Sequence, residues 1–321
     1  MISGIKIRFS KQTFFQKARG ALEGVRGQLY IDANQDYRNT VFLAGSARGG
    51  TTWVAELINF DNSYRLIFEP LRVPLCRPFY FSRYLRPGDD DPTFVDPMRM
   101  VVSGRLRHAW PDRYNRQALP RKRLVKEITA NLLLGWLHSQ YPEMPIILLL
   151  RHPCAILNSQ QRLGWKIGGV EGYLKQEALM SDFLLPLRRD MERASPVEGF
   201  FFRWCINTIV PLKQFRFGEI HLAFFENFCA QPRPEFARLF NFLQRGQDER
   251  VFKVLDRPSS QAWRGKEKLP SRQALVDGWR EQLPHQTVSI ARSVMRLFGL
   301  DSLYGEDGLP NVEEALKLFS G

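Results

Sequence analysis

The chain lacks any run of roughly eighteen apolar residues, which excludes a hydrophobic helix long enough to span a bilayer. Its first twenty residues, MISGIKIRFSKQTFFQKARG, have no continuous apolar stretch and no small-residue cleavage site, so they are not read as a secretory signal. Cysteine is scarce. Cys76, Cys154, Cys205 and Cys229 form no CxxC pair, which leaves no disulfide framework and no zinc knuckle; a reduced, cytoplasmic setting is expected. The five histidines are scattered without ligand spacing, so no metal site is expected. No basic block is interleaved with aromatics in the manner of an RNA-binding surface, and no nucleic-acid partner is expected. Neither a repeat nor a low-complexity linker divides the chain.

What the chain has is positive charge. Lys and Arg total 46 against 33 Asp and Glu, a formal net charge of +13 over 321 residues. That points to an anionic partner without naming it. Arginine dominates, and its planar fork suits bidentate recognition of phosphate- and sulfate-like groups. Hydrophobic residues make up 44% of the chain, enough for a sizeable core.

Periodicity organises the chain into alternating strands and helices. Residues 1–37 form a basic extension with an amphipathic pattern over Phe14–Leu29, expected to pack as a helix on the main domain, with peripheral membrane contact as the other reading. Strands are expected at Thr40–Gly45, Tyr64–Phe68, Arg123–Ile128, Pro145–Leu150 and Glu219–Phe225. Helices are expected at Thr51–Phe60, Ala130–Tyr141, Cys154–Arg162, Gln273–Gln282 and His285–Phe298. The proline- and arginine-rich residues 70–120 read as a long insertion with little regular structure, and residues 256–272 as a mobile loop. The pattern implies an α/β fold in one domain, 38–310, with a central parallel sheet flanked by helices, followed by a C-terminal tail at 311–321.

The stretch GSARGGTTW, Gly45–Trp53, sits between the first strand and the first helix. A strand, a glycine turn and a helix start make an anion site, because the first helical N–H groups lack internal partners and the helix dipole adds positive potential. Gly45 and Gly50 keep the glycine spacing of a nucleotide-hydrolase loop, but Thr51 stands where that loop has lysine, and the nearby cation is Arg48. Without that lysine, γ-phosphate chemistry is disfavoured. A second stretch, LLLRHPCAILNSQ, puts Arg151 directly after a buried strand and Ser159 eight residues on, in a helix opened by Pro153. An arginine and a hydroxyl so placed can converge on one phosphate.

Together these stretches resemble the sulfotransferases that use 3′-phosphoadenosine 5′-phosphosulfate (PAPS). GSARGGTTWV is similar to that family's GxxRSGTTxL loop, and RHPCAILNS to its R-[DH]-P-x-x-x-x-x-S motif, in the same order and about a hundred residues apart. The likeness extends to IFEPL at Ile67–Leu71, FFENFCAQP at Phe224–Pro232, RPSSQAW, LVDGW and FGLDSLY, and covers roughly residues 38–305. An arginine in the loop and Glu-Pro after the second strand look more like the carbohydrate and bacterial branch. The strand end that carries a basic histidine in the small-molecule branch reads Lys126-Glu127-Ile128 here, so another base is needed.

The resemblance implies a P-loop-like sulfotransferase fold, PAPS as sulfuryl donor, adenosine 3′,5′-bisphosphate as product, and no metal. It implies that Arg48, Gly49, Gly50, Thr51 and Thr52 hold the 5′-phosphosulfate and that Arg151 and Ser159 hold the 3′-phosphate, with Arg264 and Lys266 reaching in from the 256–272 loop. Glu69 is the candidate general base, since it ends a strand where ligands gather in open parallel sheets. Lys126 is the candidate for steadying the transferring oxygens. Glu226 is expected to tether the last strand rather than act chemically. The acceptor is expected to be a carbohydrate or glycoconjugate, acidic or lipid-linked, contacted by residues such as Arg72, Arg77, Arg83, Arg105 and Arg107. The competing expectations are a small-molecule kinase of the P-loop type and a non-catalytic binder of an acidic polymer. Composition fixes no oligomeric state.

Overall fold

A computed structural model describes residues 29–261 and 271–319 of the chain. Five strands form a single all-parallel sheet: β1 (Thr40–Gly45), β2 (Arg65–Phe68), β3 (Arg123–Glu127), β4 (Ile146–Leu150) and β5 (His221–Phe224). Their order is 2-3-1-4-5. Every residue of each strand is buried, which is why the strands read as continuous apolar runs rather than alternating ones. Phe42 and Ala44 face one core, which includes Trp136, Leu148 and Phe201; Val41 and Leu43 face the other, with Val54, Ile147 and Phe228.

The helices that matter for the site are α1 (Thr51–Ile58), α2 (Pro92–Val102), α3 (Pro153–Arg162), α4 (Pro196–Gln214), α5 (Phe225–Ala230) and α6 (His285–Leu297). The β1 connection leaves toward β2 and the β3 connection crosses back to β4, so the crevice outside the carboxyl ends opens around β1.

The amino ends of the strands are closed by a buried ionic cluster. Arg65 and Arg123, the first residues of β2 and β3, are fully buried. Arg65 pairs with Asp112 at 2.9 Å and with Asp32 at 3.3 Å, and Arg123 pairs with Asp32 at 3.0 Å. Arg123 Nε also donates to Thr40 Oγ1, at the start of β1. Tyr30 lies over the Arg65 guanidinium at 4.1 Å. Residues 29–37, set in the N-terminal extension by the sequence reading, therefore pack into the base of the sheet; the amphipathic stretch before them lies outside the described residues. One rim is locked by ion pairs, and the opposite rim carries the glycine loop.

Several elements differ from expectation. The 70–120 insertion contains α2, capped by Asp91 and started by Pro92, besides short 3-10 turns. The Ala130–Tyr141 helix begins only at Leu134, after a 3-10 turn at Asn131–Leu133. The Gln273–Gln282 helix is a five-residue helix, Arg272–Val276, followed by turns. Within the C-terminal tail Val312–Leu316 is helical, and Ala315 and Phe319 join the core. Among the described residues no helix is long and apolar enough to cross a membrane, and all four cysteines are buried free thiols.

Candidate functional site

The loop after β1 is shaped by two left-handed residues. Arg48 has φ 68° and Gly50, the cap of α1, has φ 90°. The turn is closed by the Gly49 amide donating to the Ser46 carbonyl at 2.8 Å. Gly49 thus spends its N–H inside the loop, although the resemblance gave it to a ligand. No side chain caps α1, and the first helical amides, those of Thr51 and Thr52, have no intrahelical acceptor.

Gly50 has a second reason to be glycine. A Cβ there would stand 2.2 Å from Cδ2 of Phe225, whose ring packs under the loop. Gly50→Ala should therefore cost at least about 2 kcal/mol through left-handed strain and overlap together. Thermal denaturation should show the loss, and Gly50→Ala/Phe225→Ala should recover part of it.

Arg48 and Arg151 interlock. Arg48 Nε donates to Ser159 Oγ at 3.1 Å, joining the β1 loop to α3. Arg151, at the end of β4, is buried under the loop. Its guanidinium donates to the Arg48 carbonyl at 3.0 Å and the Leu275 carbonyl at 2.8 Å, and lies 4.2 Å from the Phe225 ring centre. Among the described residues its Nε has no partner. Burial lowers both guanidinium groups, yet arginine stays charged at any physiological pH. The structure thus brings Arg48, Gly49, Gly50, Thr51, Thr52, Arg151 and Ser159 to one crevice. Arg264 and Lys266 lie outside the described residues.

Behind Arg151 sits a polar cluster in an apolar shell. The Glu226 carboxylate, fully buried in the first turn of α5, accepts the His152 amide at 2.8 Å, which links the β5 end to the β4 end. Burial pushes its carboxyl up to about 7, with the His152 amide and Arg151 opposing. The Trp204 indole donates to the Arg151 carbonyl at 3.0 Å from α4. His152 stacks on Trp279 with ring centres 4.3 Å apart. Burial and the nearby Arg280, Arg151 and Arg292 hold this histidine down at about 3, so it is neutral at pH 7 and is no reservoir of protons there.

On the other side of β1 lies the candidate carboxylate. Glu69 directly follows β2 in left-handed conformation, φ 44° and ψ 57°. The Pro70 ring disfavours right-handed helical geometry for the residue before it, and the Glu69 amide donates to the Lys126 carbonyl at 2.7 Å. The Glu69 side chain makes two ion pairs of different character. Lys126 Nζ holds Oε1 at 2.6 Å, with both side chains buried; Arg72 holds Oε2 at 3.1 Å, with its own side chain 55% exposed. Burial lowers the Lys126 amine while Glu69 opposes it. The fully buried Glu127 fixes the neighbouring backbone by accepting the amides of Leu71 and Ile128.

Sequence reasoning missed Glu56 and placed Arg72 at the acceptor, without its pairing to Glu69. Glu56, on α1, accepts the Ser260 amide at 3.0 Å and so anchors the segment beside the loop. Gln261 follows, its carbonyl 3.4 Å from Arg48 Nη1 and its amide bonded to Tyr114 Oη. The only sequence signal for Arg72 was its spacing three residues after Glu69; Glu56 had none. Arg105 and Arg107, expected at an acceptor, belong to the far rim: Arg105 bonds Gln35, and Arg107 covers Tyr30. Trp204 and Trp279 are core residues, whereas Trp165 is 47% exposed.

No family model and no curated protein matches the chain. Solved structures similar to it include a sulfotransferase domain from the curacin biosynthetic pathway, at 13% identity and TM-score 0.45, over 84% of this chain and 98% of that one. A mouse sulfotransferase complexed with PAP aligns at 13% identity and TM-score 0.43, over 89% and 91%. A sulfotransferase from Mycobacterium avium aligns at 10% identity and TM-score 0.40, over 89% and 80%.

Proposed function

We propose that the chain is a PAPS-dependent sulfotransferase acting on a hydroxyl or amine of a carbohydrate or glycoconjugate. The observation that carries this reading is the Arg48–Ser159 bond, which joins the two anion-binding stretches in one crevice with Glu69 at its edge. The residues present suit a nucleotide with phosphates at both ends. The amides of α1 and Arg48 serve the 5′ end. Ser159 and the positive charge of the Arg151 guanidinium serve the 3′ end. A nucleotide held there would supply an activated sulfuryl group.

The chain's own residues then have separable tasks. Arg48 and the helix dipole balance charge on the departing oxygens. Glu69 takes the proton of the acceptor hydroxyl. Its two oxygens are not equivalent for this. Oε1 is fixed by buried Lys126, whereas an exposed arginine pair of the Arg72 type is worth little and opens readily. Oε2 is therefore the proton-accepting atom, and Lys126 holds the carboxylate in place while presenting its charge to the transferring oxygens.

The test is thermal denaturation with adenosine 3′,5′-bisphosphate, ATP or AMP, each with and without Mg²⁺. A ligand at about a hundred times its Kd adds about 2.7 kcal/mol. Metal-independent stabilisation by the bisphosphate alone is the expected result. A preference for ATP with Mg²⁺ would move the reading to a kinase, and no response to any nucleotide would refute it.

A further inference from the structure

We infer that the exposed face of the 3-10 helix following Glu69 docks on an anionic lipid bilayer, through Leu75, Arg77, Tyr80, Phe81 and Arg83. The segment Pro74–Phe79 is a 3-10 helix, and such helices repeat every three residues. The repeat places Val73, Cys76 and Phe79 inside, at 3%, 0% and 0% exposure. It leaves two ridges outward. One carries Pro74 and Arg77 and the other Leu75 and Pro78, and Tyr80 and Phe81 follow the helix in an exposed turn. Leu75 is 46% exposed, Tyr80 61% and Phe81 72%. Phe79 anchors the element from below against Phe94 and Trp136, so the outward face rides on packed core.

The backbone holds the aromatics out. Phe81 and Ser82 are consecutive non-glycine residues with φ 63° and 52°. Each such residue carries a conformational cost, and here it keeps the Tyr80 and Phe81 rings together in solvent, 4.2 Å apart, rather than folded inward.

The charge within this stretch of the chain has one sign, while Asp182 and Glu177 lie on the element packed behind Ser82 and Tyr84. Between Pro70 and Gly88 there is no Asp or Glu, and there are four arginines, Arg72, Arg77, Arg83 and Arg86. Arg72 is committed to Glu69 and Arg86 to Asp182. Among the described residues Arg77 and Arg83 have no carboxylate partner. Two unpaired arginines beside a leucine and two aromatics are the composition of a bilayer interface, where the cations meet anionic headgroups and the rings enter the acyl boundary. An acidic polysaccharide would use the arginines and stack sugar faces on the two rings, but it would leave Leu75 without a role, and heparin binding is the outcome that separates the two. Because the face begins three residues after Arg72, docking would bring the Glu69 edge to the membrane, where a lipid-linked acceptor would be met. That consequence rests on the sulfotransferase reading; the docking itself does not.

The experiment is cosedimentation of the full chain with vesicles of phosphatidylcholine, alone or with phosphatidylglycerol. Partition onto the anionic vesicles, weakened by salt, is expected. Tyr80→Ser/Phe81→Asn should lower it about tenfold, asparagine being tolerated at left-handed φ. Arg77→Glu/Arg83→Glu should abolish the preference for phosphatidylglycerol. Both variants should keep the wild-type melting temperature and the wild-type response to the bisphosphate, so a failure here is distinct from a failure of the nucleotide site. Unchanged partition of Tyr80→Ser/Phe81→Asn, equal binding to both vesicle types, or retention on heparin beads without vesicle binding would each overturn the inference.

Discussion

Glu69→Gln should reduce sulfuryl transfer from PAPS by a factor of about 10²–10⁴, the usual contribution of a general base, while leaving stabilisation by the bisphosphate intact. The substitution keeps the size of the side chain and an oxygen for the 2.6 Å contact from Lys126, but removes the proton acceptor. Lys126→Met separates the two roles further. It removes the charge beside the carboxylate and should lower turnover too, yet Glu69 would remain able to accept a proton, so a residual rate above that of Glu69→Gln is expected. Arg72→Ala frees Oε2 and should leave transfer within a few-fold of wild type, because that arginine is half-exposed and its bond must open for the proposed step. Transfer from labelled PAPS to a glycan panel reads all three. Wild-type turnover in Glu69→Gln would assign the carboxylate a purely structural pairing with Lys126.

That pairing shows where the sequence stops being informative. β1 and β4 are legible because both faces of each strand are covered, which leaves apolar runs: TVFLAG matches the observed span, and PIILLL exceeds it by its leading proline. The glycine loop is legible because the Gly50 position tolerates no side chain. Glu69 and Lys126 are 57 residues apart, and only the 2-3-1-4-5 order puts β2 beside β3 so that the two meet. The insertion hid α2 because its prolines read as breakers, although Pro92 occupies the first helical turn, where proline is favoured. Asp32 was assigned to a basic extension because its charge is matched by Arg65 and Arg123, at positions whose burial no local pattern reveals. For Glu69, Lys126 and Asp32 the missing information is long-range pairing, whereas for α2 it is local, the Asp91 cap and the first-turn proline.

Arg151 carries the same lesson into the second large effect. From sequence it is a strand-end arginine aimed at a phosphate. In the structure it also clamps two carbonyls, those of Arg48 and Leu275, from a buried position. Arg151→Ala should therefore lose at least about a hundredfold in bisphosphate affinity and also lower stability, because each unpaired buried carbonyl costs about 1–3 kcal/mol. The two losses can be told apart. Arg151→Lys retains a cation but cannot reach both carbonyls in fork geometry, so it should bind more weakly than wild type with a smaller loss of stability than alanine. Ser159→Ala leaves the carbonyl clamp untouched and removes the Arg48 acceptor at 3.1 Å, so it should weaken bisphosphate binding about tenfold, near 1.4 kcal/mol, at nearly wild-type melting temperature. Calorimetric titration of the bisphosphate checks the series. If Ser159→Ala binds like wild type while Arg151→Ala merely unfolds, Arg151 is a structural clamp and the 3′-phosphate must be held elsewhere. A graded loss across Ser159→Ala, Arg151→Lys and Arg151→Ala would make the clamp and the phosphate site one device, in which the arginine that shapes the loop also holds the nucleotide.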